Sequence, residues 1–173
     1  MKNLLTIVLL FIATKAISQE AYFIGFGLDP KLAISGAYDY DKTPVLDISF
    51  KTGTRLASNF EVGVGAEYAK LNPTYLASKL FVNKVFFNAK ETLAIAVGTE
   101  LVLIDRDRFN NSQKINPQIT FGLNAETRWY FSSYASIDFA FGLLHRRDLL
   151  KMYGDKVFFK PNGTISITLQ TKR

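Results

Sequence analysis

Hydrophobic and polar residues alternate with a period of two along most of the chain, and the stretch Pro117–Leu144 shows it best. Ile119, Phe121, Leu123, Ala125, Thr127 and Trp129 form one series; Gln118, Thr120, Gly122, Asn124, Glu126 and Arg128 form the other. After Ser132-Ser133 the period resumes, with Ile137, Phe139, Phe141 and Leu143 against Ser136, Asp138, Ala140 and Gly142. A strand sends successive side chains to opposite faces, so this pattern predicts a β-hairpin with one apolar face and one small, polar, partly charged face. Each arm has the roughly 9–11 residues that a tilted strand needs to cross a bilayer.

The same rhythm runs through the rest of the chain. It begins with Tyr22, Ile24, Phe26 and Leu28, and its phase continues past Pro30 through Leu32, Ile34, Gly36, Tyr38 and Tyr40. That span reads as one strand with a bulge or as two short strands, because proline cannot donate to a ladder. Leu46, Ile48, Phe50 and Thr52 follow, then a tight turn at Ala57-Ser58-Asn59 and a return through Phe60, Val62, Val64, Ala66 and Tyr68. Residues 71–75 form a loop with proline. In the segment Leu76–Phe87, Lys79 and Asn83 are placed on the polar face, which leaves Lys84 on the apolar one, snorkelling at an interface. Asn88–Glu91 turns the chain into Leu93–Leu103, and the last strand carries Ile165, Ile167 and Leu169.

Counting the first span as one strand gives eight, with short turns at 57–59, 88–91 and 132–133. The longer connections include the polar loops Asp105–Asn116 and Arg146–Lys156. Short turns on one side and long loops on the other predict an all-β, eight-stranded, antiparallel up-and-down transmembrane β-barrel, its short turns periplasmic. A soluble, lipocalin-like ligand-binding barrel is the alternative. Two features favour the membrane: the polar face is rich in Gly, Ala, Ser and Thr, which suit a narrow bore, and aromatics gather toward strand ends (Trp129, Phe131, Phe60, Tyr68, Tyr38).

Composition narrows the chemistry. The chain has 173 residues, no cysteine, one histidine (His145), 15 Phe, 8 Tyr and a formal charge of +6. One domain is expected, without disulfides, thiolate sites or a cofactor. Residues 1–18 have a charged start at Lys2, an apolar core over Leu4–Ala13 and small residues at Ala16 and Ser18, the pattern of a signal peptide cut before Gln19. The barrel domain is then 19–173. No basic run interleaves with aromatics, so nucleic acid is not an expected partner.

With these strands in view, and with the phrase Gly63-Val64-Gly65-Ala66-Glu67-Tyr68, the chain resembles the small OmpA/OmpX-like outer-membrane barrels of Gram-negative bacteria. The resemblance is one of pattern and covers nearly all of 19–173. It implies an integral outer-membrane location, outer-membrane lipids as surroundings and a monomer. Barrels of this kind usually end in an aromatic residue, whereas this sequence ends Leu169-Gln170-Thr171-Lys172-Arg173.

The candidate site residues fall into two groups. Asp47, Lys51, Arg55, Glu61, Glu67, Glu100, Glu126, Arg128 and Asp138 point inward and read as an internal salt-bridge network that plugs the bore; a proton path or ion-selective lumen is the other reading. Arg106, Arg108, Arg146, Arg147 and Lys151 lie in the long loops and read as contacts to lipopolysaccharide headgroups, or as ordinary solvated charge. His145 invites comparison with lipid-modifying barrel enzymes, but its neighbours are Arg146, Arg147 and Asp148, and there is no His-x-Ser motif. Gly25-Phe26-Gly27 and Gly63-Val64-Gly65 open no βαβ unit, so they bind no nucleotide. The sequence therefore reads as a non-enzymatic barrel with an envelope-structural or loop-binding role. A lipid-modifying enzyme and a narrow pore stand as alternatives.

Overall fold

In a computed structural model that describes residues 19–35, 44–71, 73–106, 116–154 and 159–171, eight strands close into one barrel in sequence order. They are β1 (Gln19–Leu28), β2 (Asp47–Leu56), β3 (Phe60–Ala69), β4 (Tyr75–Phe87), β5 (Leu93–Arg106), β6 (Gln118–Ser132), β7 (Ala135–His145) and β8 (Phe159–Gln170). Every neighbouring pair is antiparallel, and β8 closes on β1 from Phe23↔Gln170 to Leu28↔Ile165. Closure leaves no strand edge unpaired, which is what lets a sheet stand in lipid. The proposed leader, residues 1–18, lies outside the described residues, as do Tyr38 and Tyr40.

The apolar series faces outward. Phe26, Leu80, Phe121, Phe139, Phe141 and Ile167 are all more than half exposed and together belong to a belt drawn from every strand. A soluble barrel would bury this series and show the polar one to water, so the exposed belt decides the faces. Among the described residues no helix is long and apolar enough to cross a membrane; the strands do the crossing. Lys84 confirms its outward placement. Its ammonium donates to the carbonyl of Ser58 and stands 4.6 Å from the centre of the Phe60 ring, at the rim beside the β2–β3 turn.

The tight turns form where the sequence allows a left-handed backbone or a side-chain acceptor. Between β2 and β3, Ser58 and Asn59 adopt φ of 71° and 59°. Between β4 and β5, Asn88 Oδ1 accepts from the Leu93 amide at 3.1 Å; between β6 and β7, Ser132 Oγ accepts from the Tyr134 amide at 3.1 Å.

Two segments depart from the sequence reading. The span after Leu28 is not extended: Pro30–Ser35 forms a short helix, α1. Asp29 caps it, its Oδ1 accepting from the amides of Lys31 at 2.7 Å and Leu32 at 3.1 Å, while proline takes the first-turn place where its missing N–H costs nothing. The alternation through Leu32 and Ile34 was therefore fortuitous, and eight strands result without a bulge at Pro30. In the second case the loop after β7 contains a helix, α2 (Arg147–Tyr153), closed by Gly154 at φ 67°.

Inward residues are small where the bore must take something large. Gly53 and Gly63 are cross-strand partners, and a Cβ on either would lie 2.8 or 2.5 Å from the ring tip of Phe23 or Phe81 respectively. Those two phenyls point inward, their centroids 6.2 Å apart. Tyr75, Phe87 and Tyr130 are further aromatics on this inward face.

Candidate functional site

The lumen is built in layers from the short-turn end to the loop end. The first is apolar: Val85, Ala94, Ala96 and Tyr130 pack together, with Phe87 against them. Above them runs a chain of ion pairs. Arg55 on β2 donates to Glu61 Oε1 through Nε at 3.1 Å and Nη2 at 2.8 Å. Arg128 on β6 donates to both oxygens of Glu61 at 2.7 Å each, and through Nε to Glu126 at 2.7 Å. Lys51 bridges Glu126 at 2.6 Å and Asp138 at 2.9 Å. Asp138 also accepts from Ser136 and Thr168. Three acids and three bases are thus joined from β2 and β3 to β6 and β7, on opposite sides of the bore, and all but Lys51 are buried.

Residue spacing accounts for this cluster. Arg55 and Glu61 are register partners across the β2–β3 turn, as are Arg128 and Asp138 on β6 and β7. Glu126 and Arg128 are two apart on one strand and so share a face. The cross-bore contacts are longer range. They need side chains long enough to meet at the axis, which Arg, Lys and Glu supply. The charges are costly to bury singly, and mutual pairing with full hydrogen bonding offsets that cost.

Further toward the loop end Lys79 pairs with Glu67 at 2.5 Å. Lys51, Lys79, Glu100 and Glu126 line a chamber of about 100 Å³ with Asn83, Asn124 and Asn162. Above it an apolar layer of Ala69, Tyr75, Ala77, Val102, Ile104 and Leu144 meets Leu32 from α1 and Leu71 from the β3–β4 loop.

At the loop end a clamp holds α2. Arg106 donates to Asp148 Oδ2 at 3.1 and 2.9 Å and to the carbonyl of Pro73 at 3.1 Å. Arg146 donates to both Asp148 oxygens at 2.8 Å. The two guanidiniums stand 4.6 and 5.0 Å from the centre of the Tyr75 ring. Burial opposes the charge on Asp148, but Arg146 and Arg106 outweigh it and hold the carboxyl below its ordinary range.

Solved structures share this architecture. The N-terminal β-barrel domain of Pseudomonas aeruginosa OprF matches at 11% identity with a TM-score of 0.66, over 89% of this chain and 99% of that one. The Yersinia pestis outer membrane protein Ail, in a phospholipid bilayer nanodisc, matches at 8% identity and TM-score 0.55, over 89% and 99%. Neisserial surface protein A matches at 10% identity and TM-score 0.51, over 88% and 95%. The fold is that of the small outer-membrane barrels. No protein-family model matches the sequence. No curated protein matches it either. The shared fold and the outward apolar belt give the chain the architecture of an integral outer-membrane protein.

The residues singled out from the sequence can now be placed on this barrel. Lys51, Arg55, Glu61, Glu126, Arg128 and Asp138 come together in the cross-bore cluster. Glu67 joins Lys79, Glu100 faces the chamber, and Asp47 is buried at the loop end of β2. Lys79 belongs to this interior set, although the sequence reading gave it only a face. Its signal was the register Gly65↔Lys79, which places it one step from Glu67 across the β3–β4 pair.

The proposed anion contacts need correction. Arg106 is not in a loop: β5 runs through it, and it is 6% exposed beneath Asp148. Arg146 is committed to the same carboxylate. The reason is Asp148, whose place two residues beyond Arg146 puts an acid within reach of both arginines. Arg147 is exposed on α2. Lys151 lies in α2, and Arg108 falls outside the described residues. His145 ends β7, where Thr120 Oγ1 donates to its carbonyl at 2.6 Å and its ring packs with Phe121 and Phe159, each 5.5 Å away.

Proposed function

We propose that this protein is a non-enzymatic, monomeric outer-membrane barrel whose lumen is plugged by its ion-pair cluster. Its role is envelope-structural or loop-mediated binding, and it is exported through the leader 1–18. The observation that carries the reading is the Arg128–Glu61 pair, a bidentate contact from β6 to β3 across the bore. An eight-stranded barrel has little free space beyond its side chains, so a bridge at that level leaves no continuous path for solutes. The apolar layer under α1 is a second barrier.

The loop end is the face for binding. There Arg147 is an exposed cation, and the basic residues Arg108, Lys114 and Lys156 lie in the adjoining loop sequence. Lipid phosphates outside the membrane are the matching chemistry, since Arg binds phosphate oxygens in pairs.

Three experiments test the reading. Purified barrel in planar bilayers is expected to give no discrete conductance steps, and stepwise currents would replace the plug with a pore. Lipid A profiles from cells with wild-type protein and with His145→Ala should match. A His145-dependent change would make the protein an enzyme. Extraction by detergent from the outer-membrane fraction, with a compact band on a mild SDS gel that shifts on boiling, tests the location itself.

A further inference from the structure

Across five strands at the chamber, the register places Asn83 opposite Gly98, Gly98 opposite Asn124, Asn124 opposite Gly142 and Gly142 opposite Asn162. Antiparallel partners share a face, so this is one inward row, Asn–Gly–Asn–Gly–Asn. The glycines are cut to the asparagines. A Cβ on Gly98 would lie 2.2 Å from Asn83 Oδ1, and one on Gly142 would lie 2.2 Å from Asn162 Oδ1. All three Oδ1 atoms are buried and accept no hydrogen bond from the described residues. Asn83 is itself only 4% exposed. A buried amide oxygen without a donor is costly, and three lining one chamber share one solution.

Charge points the same way. The described inward acids are Asp47, Glu61, Glu67, Glu100, Glu126 and Asp138, and the described inward bases below the loop-end clamp are Lys51, Arg55, Lys79, Arg128 and Lys160, the last opposite Leu144. Carboxylates exceed cations by one in this part of the lumen. Glu100 faces the chamber, its Oε1 2.8 Å from where a Cβ on Gly122 would stand. Amide and carboxylate oxygens are the donor set of a hard cation, and about 100 Å³ accommodates one with several of its waters.

We infer that the asparagine row and Glu100 form an internal binding site for an alkali-metal cation, held between the ion-pair cluster and the apolar layer. The cation supplies what the three amide oxygens need and offsets the acidic excess. Its role is to complete the plug from within. The site needs only the closed barrel, so a conductance measurement that rejects the plug leaves the binding test below independent.

The test uses the refolded full barrel in lipid vesicles. Line broadening of ²³Na in solution is expected to report saturable binding, and thermal unfolding is expected to shift upward in NaCl or KCl relative to choline chloride at equal ionic strength. Glu100→Gln, which preserves shape, should weaken sodium binding by at least about tenfold. Gly142→Ala, which crowds Asn162, should weaken it too. If either variant fails to assemble, Asn124→Leu, at a partly buried position of the same row, takes its place. Equal unfolding in sodium and choline with no saturable broadening overturns the site. Binding that survives unchanged in Glu100→Gln and in the row variants overturns it as well.

Discussion

Arg128 and Glu61 sit on strands three apart around the barrel, yet their side chains meet through two hydrogen bonds of 2.7 Å. The contact ties opposite walls of the bore together, and both residues are fully packed: Arg128 also faces the Phe23 ring, and Glu61 takes Arg55 as a second partner. Neither ion can be removed without leaving the other buried.

Arg128→Ala is therefore expected to lower stability by about 3–5 kcal/mol, the usual cost of stranding one member of a buried pair. Arg128→Lys should recover only part of it, since an ammonium cannot reproduce the fork. Urea unfolding in vesicles measures both. A loss below about 1 kcal/mol for the alanine variant would mean that the pair behaves as a solvated one and that water fills this level of the bore.

The faces can be tested one residue apart. Phe139 points to lipid in the middle of β7, while Asp138 is buried inside with Lys51, Ser136 and Thr168 as partners. Phe139→Arg should cost about 2–4 kcal/mol, the midplane penalty, and Phe139→Leu almost nothing. Asp138→Asn keeps the shape and loses a charged acceptor, for about 1.5–3 kcal/mol. Tolerance of arginine at 139 together with intolerance of leucine would show the two faces to be reversed.

Strand order, faces and turns were legible because each outward residue along a strand repeats the same statement every second position. Lys84 could be read as a rim residue on that ground alone. Register also follows from tight turns, so Arg55 opposite Glu61 was within reach of the sequence. Three-dimensional closure was not: nothing in the local pattern brings Glu61 to Arg128, which are 67 positions apart. The helices were missed for a different reason. Pro30–Ser35 carries alternation that imitates a strand, and the cap at Asp29 is a local hydrogen bond that competes with extension. Arg106 was misplaced because a charged run looks like a loop even when β5 continues through it.

The clamp on α2 depends on a single carboxylate. Asp148 holds Arg106 and Arg146, and its proton affinity is lowered from the ordinary value of 3.8. A carboxyl depressed in the folded state stabilises it fully above that ordinary value, and the contribution is lost as pH falls through the lower, folded value. Amide exchange in Arg147–Tyr153 should thus stay slow from pH 7 to about 4 after correction for intrinsic rates, and accelerate below that range. Asp148→Asn should exchange fast already at pH 7. Protection that fades between pH 7 and 5 would assign the clamp to another group.

The last prediction concerns which end faces out. The connections at 57–59, 88–92 and 133–134 are tight, while those carrying α1, α2 and residues 107–117 are longer in sequence, and the strand ends they join lie at the opposite end. Outer-membrane barrels keep short turns periplasmic, and the basic residue Arg147 is then presented to the anionic exterior. Because the chain has no cysteine, a single introduced thiol reports its own side without background. Asn116→Cys and Ser133→Cys occupy exposed positions at the two ends. On intact cells the first should react with a membrane-impermeant maleimide and the second only after the outer membrane is permeabilised. Reaction at Ser133→Cys alone would invert the barrel, and with it the loop-end binding face assigned to Arg147.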